Sequence, residues 1–131
     1  MRTYLTAVLL LLTLSCKKDE IKTHVEDLQG SWKLAYYYGG FTGMRTTPPP
    51  GELTILKFRN TTVEKYTHDT LLATAAFKVM KKKDEYDNKM VPFIQSGNIV
   101  NAAFSIRNDT LSFYMINVMD GGSTHYVRYR P

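Results

Sequence analysis

The chain has 131 residues, 44% of them hydrophobic, and its 17 basic and 12 acidic residues leave a formal net charge of +5. That length fits one domain, and the hydrophobic share is enough for a core, which excludes an intrinsically disordered chain. The positive balance is mild. Lys78, Lys81, Lys82 and Lys83 cluster, but Asp84, Glu85 and Asp87 follow at once. The cluster therefore reads as a solvated loop and not as the broad basic face of a nucleic-acid binder.

The N-terminus carries an address. One basic residue, Arg2, precedes an apolar run from Leu5 to Leu14; Ser15 and Cys16 follow, and Cys16 is the chain's single cysteine. A membrane-spanning helix needs about 20 apolar residues, so this run is too short to span and has the layout of a secretory signal. Leu12-Thr13-Leu14-Ser15-Cys16 resembles the end of a bacterial lipoprotein signal, in which the cysteine after the cut is joined to diacylglycerol. With no second cysteine, Cys16 has no intramolecular disulfide partner, and an unpaired thiol is a liability in an oxidising compartment. The resemblance implies a signal peptide over 1–15, lipidation at Cys16 and a tether over 16–26. It also implies an outer-membrane lipoprotein of a Gram-negative bacterium, on the periplasmic face or the cell surface. Lys17-Lys18-Asp19-Glu20 resembles a surface-export tag and reads equally as a charged tether.

From residue 27 to 131 the pattern is that of a single β domain. Val25–Leu28 has the spacing for one helical turn. Ser31–Tyr38 alternates, with Trp32, Leu34, Tyr36 and Tyr38 on one face. Gly39-Gly40 ends that strand, and a Gly-, Thr- and Pro-rich loop runs to Gly51, a segment of the kind that forms lids or contact surfaces. Further strands are expected at Glu52–Arg59, Thr62–Thr67, Thr70–Met80, Lys89–Gln95, Asn98–Arg107, Thr110–Val118 and Ser123–Arg130. Turns at Asn60-Thr61, His68-Asp69, Ser96-Gly97, Asn108-Asp109 and Asp120-Gly121-Gly122 join most of them, and Lys81–Asn88 is a charged loop. Short turns without crossover helices imply sequential antiparallel pairing. The expected fold is all-β: an eight-stranded antiparallel up-and-down barrel with a short N-terminal helical turn. An open sandwich of the same strands is the alternative.

Two short motifs bring a family into view. Gly30-Ser31-Trp32 opens the first strand, and Thr124-His125-Tyr126-Val127-Arg128-Tyr129-Arg130 forms the last. A Gly-x-Trp at the start with an arginine near the end resembles the lipocalin-like (calycin) barrels, here the small lipocalin-like bacterial lipoproteins of unassigned function. The Thr-Asp-Tyr motif of that family, near the sixth and seventh strands, is absent. The resemblance implies that Trp32 plugs the closed end and that Arg128, or less readily Arg130, lies across its indole, a contact worth roughly 0.5–2 kcal/mol.

An eight-stranded barrel is either filled by side chains or holds one small ligand. Residues expected to point inward are Tyr36, Tyr38, Phe58, Tyr66, Phe77, Phe104, Phe113 and Tyr126. They are core residues or, where a tyrosine hydroxyl seeks a partner, a ligand's contacts. The expected function is a lipid-anchored barrel that binds a small hydrophobic or amphipathic molecule outside the cytoplasm and touches the membrane through Cys16. The alternative is a filled barrel whose loops contact a protein or glycan, including an inhibitor of another enzyme. No phosphate-binding glycine loop, nucleophile elbow, zinc motif or paired-cysteine motif appears. His24, His68 and His125 are far apart in sequence, so neither an enzyme nor a cofactor or metal is expected. Asp69-Thr70-Leu71 and Asp109-Thr110-Leu111 resemble the Asp-Thr-apolar acceptor of a bacterial O-glycosylation system, making Thr70 and Thr110 candidate acceptors. Turn chemistry explains the same residues without sugar.

Overall fold

The computed structural model describes residues 20–131. The signal peptide expected at 1–15, the lipidation site Cys16 and tether residues 17–19 lie outside the described residues. A helix, α1, occupies residues 20–28. It is longer than the single turn expected, and it covers positions read as tether. Ten strands follow: β1 (Gly30–Tyr38), β2 (Arg45–Thr46), β3 (Thr54–Arg59), β4 (Thr62–Thr67), β5 (Thr70–Ala76), β6 (Lys78–Asp84), β7 (Lys89–Ser96), β8 (Val100–Arg107), β9 (Thr110–Tyr114) and β10 (Ser123–Arg128).

The strands form one antiparallel sheet in the order β5-β4-β3-β1-β10-β9-β8-β7-β6, with the two-residue β2 paired to β1. The up-and-down order follows from the turns. Asn108 and Asp109 both take positive φ (47° and 61°), as a two-residue type I′ hairpin requires. Asn60 and His68 take positive φ in the β3–β4 and β4–β5 turns, and asparagine tolerates that region better than most residues.

The sheet is not closed into a barrel, and it has ten strands where eight were expected. One reason lies at Phe77. The sequence reads as one strand over 70–80, but the ladder breaks there: β5 pairs only with β4, and β6 only with β7. The Phe77 amide donates to Thr61 O at 2.8 Å, and its buried ring meets Phe58 edge-on at 5.3 Å between centroids. The chain therefore turns a corner at Phe77, and β5 and β6 share no ladder. The sheet still curls until Gly97, in the β7–β8 turn, packs beside Ala75 of β5. The Lys81–Asn88 loop also differs from expectation, because β6 extends through the lysines to Asp84. Lys78, Lys81, Lys82 and Lys83 thus line a free edge, and edge lysines hinder pairing with another chain.

The core is made by one face. Cross-strand partners share a face and neighbours along a strand alternate. Trp32, Leu34, Leu56, Phe58, Val63, Ile94, Phe104, Leu111, Phe113 and Tyr126 fall on that inner face and are buried, and Leu28 and Val25 of α1 pack against them. α1 lies at the end of the sheet where β1 starts and β10 finishes.

Candidate functional site

The α1 end is a capped plug. Arg128 and Trp32 are directly paired in the β1–β10 ladder, and the guanidinium lies 4.0 Å from the centre of the indole. The indole is fully buried, and its Nε1 donates to Leu28 O at 2.7 Å. Arg128 Nη1 donates to Gln29 O (2.8 Å), Nη2 to Asp27 O (3.2 Å) and Nε to Asp109 Oδ1 (3.2 Å). Three successive carbonyls at the C-terminal end of α1 are therefore satisfied by two side chains from the sheet. A helix leaves its last carbonyls unpaired and its C-terminus partly negative, so a cation is favoured there. Gly30 has φ of 106°, and a Cβ there would sit 3.2 Å from Arg128 Nη1. That explains the glycine of Gly30-Ser31-Trp32 in physical terms. Arg130 reaches only Asp109, at 3.9 Å. These contacts are structural; beside them the buried His24 Nε2 of α1 has no hydrogen-bond partner among the described residues.

The far end of the inner face is different. A pocket of about 250 Å³ opens there, lined by Leu56, Ile99, Val100, Asn101, Ala102, Phe113, Thr124 and Tyr126. Leu56 of β3 faces β8 across it, which the curl of the sheet makes possible. Small residues at Ala102 and Thr124 leave the space that Phe104 and Trp32 fill at the other end. Burial, with a smaller contribution from Tyr37, pushes the Tyr126 hydroxyl up to about 12. That hydroxyl has no hydrogen-bond partner among the described residues. The unfolded value is about 10, so the folded state holds the proton more tightly. The resulting stability is complete below pH 10 and is lost as pH rises through 12, on the order of 2–3 kcal/mol in all. Ultraviolet titration is expected to show one tyrosine ionising near pH 12 or on unfolding, and Tyr126→Phe removes that step.

The eight aromatic residues expected inside divide into two groups. Phe58, Phe77, Phe104, Phe113 and Tyr126 are buried. Tyr36, Tyr38 and Tyr66 lie on the outer face, which corrects their assignment to the interior. For the first two the cause is a β-bulge between Leu34 and Tyr36. One extra residue reverses the alternation beyond it, so Tyr37, opposite Thr124, shares the face of Tyr126. Tyr66 pairs with Ile55, on the face opposite to Leu56 and Val63. Its hydroxyl donates to Glu64 Oε2 at 2.9 Å, and that bond to the carboxylate holds the hydroxyl above the usual range.

On the outer face Tyr36 stacks on His125 (centroids 4.3 Å, 15° apart), and Arg45 lies 4.0 Å over Tyr36. Both His125 ring nitrogens are engaged at 2.7 Å, Nδ1 by Ser112 Oγ and Nε2 by Ser123 Oγ. Burial, and then the Arg45 charge, holds its imidazole below the usual histidine range. A neutral ring with one donor and one acceptor nitrogen suits two serine hydroxyls. This cluster fastens β9, β10, β1 and β2 together. It was invisible in the sequence because the bulge creates it.

Part of the Gly39–Gly51 segment, expected as a lid or contact surface, folds back on the end of β1. Gly39 N–H donates to Met44 O at 2.9 Å, and Arg45–Thr46 pair with the end of β1. None of residues 39–51 lines the far-end pocket, but Thr47, Pro48, Pro49 and Gly51 line a separate one of about 370 Å³ with Lys33, Leu34 and Val127. Phe41 (90% exposed) and Met119 (84%) project from the loops at this end. His24 packs edge-on against Phe104 at 5.9 Å. Thr70 is exposed at the start of β5, whereas Thr110 is half-buried between Arg107 and Val127. No family model matches this chain, and no curated protein or solved structure matches it either.

Proposed function

We propose that this is a lipid-anchored binding protein that holds a small hydrophobic or amphipathic molecule outside the cytoplasm. In this reading the fold is a remote relative of the lipocalin-like proteins whose sheet stays open between β5 and β6. The signal-like run ending at Cys16 supports the anchor. The single observation that carries the binding role is the far-end pocket, where Leu56, Val100, Ala102 and Phe113 are interleaved with the polar groups of Asn101, Thr124 and Tyr126. A lining of both kinds suits an amphipathic occupant. The pocket has a volume of about 250 Å³ and is open to solvent, so part of an occupant can extend beyond it. Thr70 is the better exposed of the two candidate glycosylation acceptors.

The test is saturable binding of 1-aminoanthracene, an uncharged fluorophore that brightens in apolar surroundings. One-to-one binding is expected, and Ala102→Trp, which fills the pocket, is expected to weaken it at least tenfold while circular dichroism confirms the sheet. Absence of saturable binding to the unmodified protein would sink the proposal. A second reading, an interaction module, draws on the exposed Phe41 and Met119, since flexible methionine surfaces adapt to protein partners.

A further inference from the structure

The inner face carries a charge that nothing on it answers. Lys65 lies directly opposite Leu56 in the β3–β4 ladder and opposite Ala73 in the β4–β5 ladder. Leu56 is a buried wall of the pocket, and Val63, two residues before Lys65, is fully buried on the same face. Directly opposed residues hold their Cβ atoms roughly 4.5–5.5 Å apart, so Lys65 starts beside one lining residue, Leu56, while not itself lining the pocket. Lysine buries its methylenes along apolar surface and extends its ammonium to the nearest polar space.

The other inner-face cations are occupied. Lys81 pairs with Glu20 of α1, and Arg128 caps the helix and touches Asp109. Lys65 has no ion pair or side-chain hydrogen bond among the described residues. The ten strands hold two acidic residues, Glu64 and Asp84. Glu64 is turned to the opposite face with Tyr66, and Asp84 lies on β6, away from the β3–β4 ladder. A half-buried cation one ladder position from a pocket-lining residue, with no carboxylate of its own on that face, leaves its neutralisation to solvent or to a ligand.

We propose that the pocket takes an apolar molecule with an anionic head group, the head paired to Lys65 and the tail enclosed by Leu56, Val100, Ala102 and Phe113. This rests on the reading of the pocket as a binding site and names the class of its ligand. A carboxylate and a phosphate share the required chemistry. Charge-assisted hydrogen bonds to an ammonium are roughly twice as strong as neutral ones, so the head group sets the preference among molecules with the same tail.

The experiment compares octanoate, octyl phosphate, octan-1-ol and octylamine by isothermal titration calorimetry, using the mature protein in lipid nanodiscs with empty nanodiscs as the blank. At least one of the two anions is expected to bind about tenfold more tightly than octan-1-ol, a gap of about 1.4 kcal/mol, and octylamine more weakly than octan-1-ol. The tighter anion identifies the head group. In Lys65→Met the ratio of anion to alcohol affinity is expected to fall to about one, and in Lys65→Arg to stay near the native ratio. Equal affinity for anions and alcohol in the native protein, or a preference that survives Lys65→Met, would overturn the anionic-head assignment and leave the binding site standing. Binding of none of the four would overturn both.

Discussion

Trp32→Ala is expected to cost the protein a large part of its stability. The indole is completely enclosed, it is the largest fully buried side chain among the described residues, and it holds Leu28 O of α1 against the sheet. Truncating a buried tryptophan costs about 3–5 kcal/mol, against a total of roughly 5–15 kcal/mol for a domain. Here the loss has two parts. A cavity opens beside Leu28, Leu56 and Arg128, and Leu28 O loses its donor. Thermal unfolding followed by circular dichroism is expected to drop by some 15 °C or more, at about 4–8 °C per kcal/mol. Trp32→Phe separates the parts: it refills most of the cavity but leaves the carbonyl without its donor, so its midpoint should fall between the other two. A Trp32→Ala midpoint within a few degrees of native would mean that the α1 end does not hold the fold together.

Arg128→Met is expected to have the next largest effect. The methionine keeps an apolar stem over the indole, so the change isolates the guanidinium. Its removal leaves Asp27 O and Gln29 O without their donors and takes a cation from a helix C-terminus. Gln29 O is part-buried and Asp27 O is exposed, so water replaces part of each bond and the expected loss is about 1–2 kcal/mol. Arg128→Lys should recover less than half of that. An ammonium retains the charge but cannot reach two carbonyls and a carboxylate with one planar fork. Hydrogen exchange is the sharper readout: amides of α1 should lose protection before those of β3 and β4. Uniform loss of protection across the sheet would show that Arg128 acts on the whole core and not on the helix.

The pairing of those two residues is implied by the resemblance of Gly30-Ser31-Trp32 and the terminal Arg128 to the lipocalin-like barrels, and they are directly opposed in the β1–β10 ladder. The strands are equally legible. Alternation marks β1, β3, β4, β7, β8 and β10 to within two or so residues, and Asn108-Asp109 and His68-Asp69 mark the hairpins that make the sheet a meander. Polar turn residues and period-two burial are properties of short windows, so a short window suffices to find them.

What needed the tertiary structure was everything set by pairing across the sheet. The bulge after Leu34 has no sequence mark in Leu34-Ala35-Tyr36-Tyr37-Tyr38, where three tyrosines in a row fit either phase. It sends Tyr36 to His125 and turns Tyr37 toward Tyr126. Phe77 reads as one more residue of a long strand, and only the competing demands of β4 and β7 make it a corner. Lys65 looks like a surface lysine until its partners, Leu56 and Ala73, are known. The sequence by itself determined the all-β class and the up-and-down antiparallel order of its strands, because these follow from local periodicity and turn chemistry. Register, curvature and the open seam between β5 and β6 were decided by long-range packing. In a sheet, a one-residue shift reverses which side chains are inside, and no single strand carries enough information to fix it.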